Sequence, residues 1–102
     1  MGGGDKLIFH AVGHARLFGA GEITGSPHYN PDPLWKDRFP WKYPVRVDVA
    51  IPHVSDGPRL MQVAPSHVTG RLRAGAPYAR LTAAEYQMLL NKLLAIPSVT
   101  TR

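Results

Sequence analysis

The chain has one long helical pattern, and it begins near the C-terminus at Thr82. Thr82 and Glu85 have the spacing of a capping box, and Leu81 and Tyr86 stand where a hydrophobic staple needs them. The apolar stripe of this helix consists of Tyr86, Leu89, Leu90, Leu93 and Leu94. Pro97 ends the pattern. A single amphipathic helix has to bury its stripe against another layer, so the rest of the chain must supply that layer.

Strand patterns occupy most of the earlier chain. Four segments have them, at residues 6–12, 16–24, 45–51 and 59–63, and a short helical turn is indicated near Ser66. The third segment alternates strictly, which predicts that Val45, Val47, Val49 and Ile51 face one side. Gly19 and Gly21 fall on one face of the second segment, where glycines indicate either the close approach of another group or a sharp bend of the sheet. Curvature of a barrel is the favoured interpretation.

These patterns predict one α+β domain over residues 1–102. Its expected architecture is a small mixed or antiparallel β pseudo-barrel with one C-terminal helix. The chain has no cysteine, which excludes disulfides and thiolate metal sites. It also has no apolar run of about 20 residues and no signal-peptide pattern at its start, so we expect a cytoplasmic protein with no membrane contact.

The positive charge of the chain is unevenly distributed. The formal net charge is +5, and residues 57–84 contain four arginines and no acid. A second basic stretch, at residues 35–46, has Asp37 as its one acid. Clustered positive charge is typical of nucleic-acid binding, and it is also typical of a solvated surface that keeps a protein soluble.

No catalytic or metal-binding motif is visible. The five histidines match no metal template, so structural or incidental roles are favoured for them. No serine lies in a Gly-x-Ser-x-Gly elbow, and there is no Walker loop. We therefore expect no cofactor and no enzymatic activity, with an RNA-modifying enzyme or its subunit as a weaker hypothesis.

Residues 25–44 form a long connection that is rich in proline, aromatic and basic residues. Aromatic rings stack on bases, and cationic side chains contact phosphates. The stacking candidates are Tyr29, Trp35 and Trp41, and the phosphate candidates are Lys42, Arg46, Arg71 and Arg73. The alternative role for the tryptophans is to plug the end of the barrel.

Several segments, in order along the chain, resemble EVE domains of the PUA-like superfamily, which also contains YTH domains. They are GDKLIFH at residues 4–10, FGAGEIT at 18–24, SPHY with the later PLW at 26–35, and YPVRV at 43–47. Leu72-Arg73, Pro77-Tyr78 and residues 81–90 resemble the late segment of the family. The resemblance implies a pseudo-barrel whose cleft reads modified nucleobases in DNA or RNA, and it adds Ser26 to the base-binding candidates.

The chain departs from the family at its start. EVE domains begin with a further strand and helical segment, whereas this chain starts almost at Gly4-Asp5. An incomplete barrel would leave an open sheet edge, which is a template for pairing. We therefore expect either a homodimer across that edge or a true start further upstream. The alternative function is a protein-interaction or structural module whose barrel a partner or a second copy completes.

Overall fold

The fold combines an antiparallel sheet with a layer of short helices. A computed structural model of the chain describes residues 3–11, 13–29, 41–74 and 78–101. The main sheet has the order β1, β2, β5, β6, where β1 is Lys6–Ala11, β2 is Arg16–Ile23, β5 is Val45–Ala50 and β6 is Thr100–Thr101. A separate ribbon pairs β3 (His28–Tyr29) with β4 (Trp41–Lys42). The helices are α1 (Leu60–Val63), α2 (Ser66–Arg73) and α3 (Ala83–Leu94), and a 3₁₀ turn spans Val54–Asp56.

Strands β1 and β2 form the antiparallel hairpin that the sequence predicts. The chain reverses through Gly13 and Ala15, both of which have positive φ. In the sheet, β5 lies next to β2, and at two positions of β2 the β5 backbone is too close for a side chain to fit. A Cβ on Gly21 would collide with the Arg46 carbonyl oxygen, and one on Gly19 would lie 2.7 Å from the Val49 carbonyl oxygen. The two glycines therefore allow close approach of the β5 backbone.

The alternation of β5 is interrupted by a bulge. Gly21 pairs with Val47 and Ala20 with Val49, which leaves Asp48 without an opposite residue on β2. A bulge shifts the alternation by one residue. Val47, before the bulge, and Val49, after it, therefore face opposite sides of the sheet instead of sharing one. Val47 is accordingly 47% exposed, whereas Val49 is 7% exposed. The prediction that all four apolar residues of this strand share one buried face is wrong for Val45 and Val47.

Residues 60–63 form a helix rather than the strand predicted over residues 59–63, and Arg59 makes an isolated antiparallel bridge with Arg16. Leu60, which is buried, begins α1, and the Ala64 N–H donates to the Leu60 carbonyl at 2.9 Å. Leu60 and Val63 are three apart and pack toward the core, a spacing that suits a helix and not a strand. The helical turn expected near Ser66 is the longer helix α2. Among the described residues, α1 is therefore a helix that the sequence does not predict, and α2 is longer than the predicted turn.

Helix α3 closes the core, as predicted. The Glu85 N–H donates to Thr82 Oγ1 at 3.1 Å, and the Thr82 N–H donates to Glu85 Oε1 at 2.8 Å, which completes the capping box. The helix packs across β1, β2 and β5 and buries Leu89 and Leu93. Leu94 is 43% exposed, so the stripe is narrower than predicted.

Within the described residues, the sheet does not close into a barrel. Strands β1 and β6 stand at its two edges. The α+β class and the antiparallel pairing agree with the prediction, and the predicted pseudo-barrel is not confirmed. The chain is thus an open sheet covered on one face by helices.

Candidate nucleic-acid interface

An open cleft of about 680 Å³ lies between β1 and the helices. Its apolar lining includes Ile8, Leu17, Leu60, Leu72 and Leu89. Two tyrosines also line it: Tyr78, which is 47% exposed, and Tyr86, which is partly buried on α3. A pocket with mostly apolar walls and a few polar groups is the usual form of a ligand site.

The helical side of this cleft carries uncompensated positive charge. We call residues 57–84 the arginine layer, because they include four arginines and no acid. Arg59, Arg71, Arg73 and Arg80 are all exposed. In the described part of the chain, none of them contacts a carboxylate. Arg80 lines the cleft, and Arg71 and Arg73 flank Leu72, which also lines it.

The charges of the sheet are arranged differently. Two cations and two carboxylates form a connected set that we call the charge row: Lys6, Glu22, Arg46 and Asp48. Lys6 Nζ lies 2.6 Å from Glu22 Oε1, and Arg46 Nη2 lies 3.3 Å from Glu22 Oε2. Arg46 Nε donates to Asp48 Oδ1 at 2.7 Å. Two cations and two carboxylates cancel, so the row adds no net charge to this face.

The pKa values in the charge row reflect this pairing. The hydrogen bond and charge of Lys6 hold the pKa of Glu22 below its ordinary value, and Glu22 raises the pKa of Lys6 in return. The hydrogen bond and charge of Asp48 raise the pKa of Arg46. Nearby, burial raises the pKa of Tyr86. Tyr86 also lines the cleft, and its hydroxyl is a group that can donate or accept a hydrogen bond.

A second polar link joins α2 to the start of α3. His67 Nε2 lies 2.6 Å from Glu85 Oε2, the carboxylate that also caps α3. The backbone N–H of Thr82 and then the hydrogen bond from His67 lower the pKa of Glu85. This link joins α2, which belongs to the arginine layer, to the first turn of α3.

The sequence-predicted site residues fall into two groups. Tyr29, which is 64% exposed, pairs with Trp41 through the backbone of the β3–β4 ribbon, and Lys42 is exposed on the same ribbon. Ser26 is exposed just before this ribbon, and Trp35 lies outside the described residues. Arg71 and Arg73 lie on α2, and the contacts of the described residues do not join them to the ribbon.

Arg46 differs from the other phosphate candidates because two carboxylates already contact its guanidinium group. The sequence-predicted site also omitted Tyr78, Arg80 and Tyr86, which line the cleft. The absence of acids from residues 57–84 was the signal for Arg80. Tyr86 was assigned to the staple and the apolar stripe alone, although its ring also borders the cleft.

Other site classes find no support in the described residues. No cluster of three or more His, Asp or Glu side chains is placed to hold a metal ion. Among these residues, no helix has the length and apolar character needed to cross a membrane. The chain matches no protein-family model, no curated protein and no solved structure.

Proposed function

We propose that this chain is a nucleic-acid-binding module whose arginine layer contacts phosphates. The observation that carries the proposal is the charge distribution: in the described part of the chain, the four exposed arginines of the arginine layer contact no carboxylate, and one of them, Arg80, lines the cleft. Arginine suits this role because its planar guanidinium group matches phosphate oxygens with two parallel hydrogen bonds. Arg46 has no place in this set, because a phosphate would have to compete with Glu22 and Asp48.

The cleft beside the arginines is the proposed site of a nucleobase. Tyr78 offers an exposed ring for stacking, and base–aromatic stacking contributes about 1–3 kcal/mol per base. The apolar residues and the Tyr86 hydroxyl provide a wall and a hydrogen-bonding group for the base. A base can enter such a cleft only from a single strand or after leaving a duplex stack. The resemblance to EVE domains agrees with this mode of binding and extends the proposal to modified bases.

The β3–β4 ribbon is a second proposed contact. Tyr29 is exposed there beside the backbone of Trp41, and Lys42 is also exposed. Together with Ser26 and Trp35, these residues form the contact that the sequence predicts. A strand of nucleic acid long enough to reach both regions would bind more tightly than one that reaches the cleft alone.

Fluorescence anisotropy over a range of salt concentrations tests the proposal. The labelled probes are single-stranded DNA, single-stranded RNA and duplex DNA. Affinity should fall steeply with salt, because phosphate contacts release counterions. Arg71→Gln and Arg73→Gln should each lower the slope of log K against log salt by about 0.7 for single strands. Comparing the three probes chooses between DNA and RNA.

Lys92→Gln is the matched control, since Lys92 is an exposed cation of α3 that lies outside the arginine layer. It should leave the salt slope unchanged, and all three variants should keep the melting temperature of the parent protein. An affinity that does not depend on salt, or an equal loss in the Lys92 variant, would contradict the role given to the arginine layer.

A protein-interaction module is the second candidate function. It is favoured by the open edge of β1, because an unpaired strand can add a strand from another chain. Affinity capture that returns a stoichiometric protein partner and no nucleic acid would support this function over the first.

A further inference from the structure

Among the described residues, no strand pairs with the outer edge of β1, which is six residues long. Strand β1 is the first strand of the sheet and pairs with β2 on one side. Its sequence, KLIFHA, has apolar residues at its centre, no proline and no acid. Natural proteins usually protect such edges with charges, prolines or a covering element. The edge of β1 has little of this protection.

The backbone pattern identifies which residues face the open side. The Ile23 N–H donates to the Asp5 carbonyl at 2.9 Å, so the Asp5 carbonyl points toward β2. Hydrogen-bonded and non-hydrogen-bonded pairs alternate along an antiparallel ladder, so the N–H and C=O groups of Lys6 and Ile8 point away from β2. The register shifts between Phe9 and His10, and the N–H of Leu17, which stands opposite His10, donates to Pro58 rather than to β1. The His10 groups therefore also point away from β2. Within the described residues, no backbone hydrogen bond from another element reaches these three residues.

We propose that a second copy of this chain pairs with this edge, with the two β1 strands antiparallel and Ile8 opposite Ile8. In this register Lys6 faces His10 of the second copy, and Leu7 faces Phe9. Each pair formed by Lys6, Ile8 and His10 exchanges two backbone hydrogen bonds. The two sheets thereby become one continuous sheet.

The side chains of β1 favour this register over its neighbours. Centred on Ile8, the strand is symmetric in character, with polar Lys6 and His10 enclosing three apolar residues. Apolar residues then face apolar ones, and such cross-strand pairs stabilise a sheet. A register centred on Leu7 would set Lys6 against Ile8, and one centred on Phe9 would set Ile8 against His10. This symmetry favours a second copy over an unrelated strand as the occupant.

Charge complementarity supports the same arrangement. Asp5 would stand opposite Ala11 of the second copy, and Ala11 pairs with Arg16 on the next strand. These three residues form one row across the joined sheets, and the small Ala11 side chain leaves room for Arg16 to approach Asp5. One Arg16 nitrogen donates to the Gly57 carbonyl, and the guanidinium group has further donors for a carboxylate. The twofold symmetry creates this contact twice.

Cysteine cross-linking tests the register, because the natural chain has no cysteine. The variants Leu7→Cys, Ile8→Cys and Phe9→Cys are each oxidised under mild conditions and compared on a non-reducing gel. Opposed residues of a hydrogen-bonded pair have Cα atoms about 5.5 Å apart, which is within the range that a disulfide spans. Ile8→Cys should form a covalent dimer as its main product, and the other two should remain mostly uncrosslinked.

A second experiment avoids the partly buried Ile8. Lys6→Cys and His10→Cys, made as separate proteins, should cross-link to each other when mixed and much less when oxidised alone. Light scattering of the unmodified protein should give twice the chain mass of 11.2 kDa. Preferred cross-linking at residue 7 or 9, or a monomer together with no cross-linking in the mixture, would overturn the proposal. Both measurements are made without nucleic acid, so they can fail or succeed separately from the proposed function, although Ile8 of β1 also lines the cleft.

Discussion

On the sheet, each cation of the charge row contacts a carboxylate, whereas the arginines of the arginine layer contact none among the described residues. The packing differs in the same way. A Cβ on Gly19 or Gly21, both in β2, would lie too close to a carbonyl oxygen of β5, but a Cβ on Gly70, in α2, would meet nothing within 4 Å. The two regions therefore have different roles. The close packing of the sheet stabilises the fold, whereas the arginine layer presents positive charge that a partner can contact.

The largest predicted effect concerns the glycines. Gly21→Ala should lower the free energy of unfolding by about 1–3 kcal/mol or more, because the new Cβ would collide with the Arg46 carbonyl. Gly70→Ala, the control in the arginine layer, should raise it by about 0.5–1 kcal/mol, because alanine favours an open helical position. Urea denaturation measures both. Similar values for the two variants would contradict the proposed difference in packing.

A smaller effect is expected at the boundary of the arginine layer and α3. Thr82→Ala should cost about 1 kcal/mol, because the Glu85 N–H loses its capping acceptor. Thr82→Ser keeps a hydroxyl and should cost much less. Denaturation curves of the two variants decide the point, and an equal loss in both would show that the methyl group of Thr82, rather than the cap, stabilises the helix.

The smallest predicted effect is a dependence of stability on pH. The pKa values of Glu22 and Glu85 are held below 4.5 in the folded chain. The stability from each carboxylate is therefore present above pH 4.5 and is lost as the pH falls through its folded pKa. Melting temperatures recorded from neutral to acid pH should decline less steeply for Glu22→Gln and Glu85→Gln. An unchanged decline in the Glu22 variant would show that the charge row contributes little to stability.

The elements that the sequence predicts correctly are those that depend on residues close together in the chain. The β1–β2 hairpin and the Thr82 cap follow from hydrophobic runs and capping residues close together in the sequence. The phase of β5 could not be predicted, because the bulge at Asp48 depends on how β5 pairs with β2. Residues 59–63 have no strict alternation, and contacts with the hairpin and core favour helix α1 there.

The candidate site was predictable to a similar degree. The excess of arginine and the absence of acid are properties of the sequence, and they identified Arg71 and Arg73. Arg46 looked equivalent to them, since its contact with Glu22 across the strands depends on the sheet register. The cleft lined by Tyr78 and Tyr86 depends on the packing of α3 against β1, which no local pattern reveals.

The start of the arginine layer is joined to the hairpin by two backbone hydrogen bonds. The Leu17 N–H donates to the Pro58 carbonyl at 2.9 Å, and the Leu60 N–H donates to the Ala15 carbonyl at 2.8 Å. Backbone amides exchange with deuterium only when such bonds open, and segments of a protein can open separately. The amides of Leu17 and Leu60 therefore serve as natural reporters of undocking, and slower exchange of both on adding a ligand would mean that the ligand holds the helical layer against the sheet.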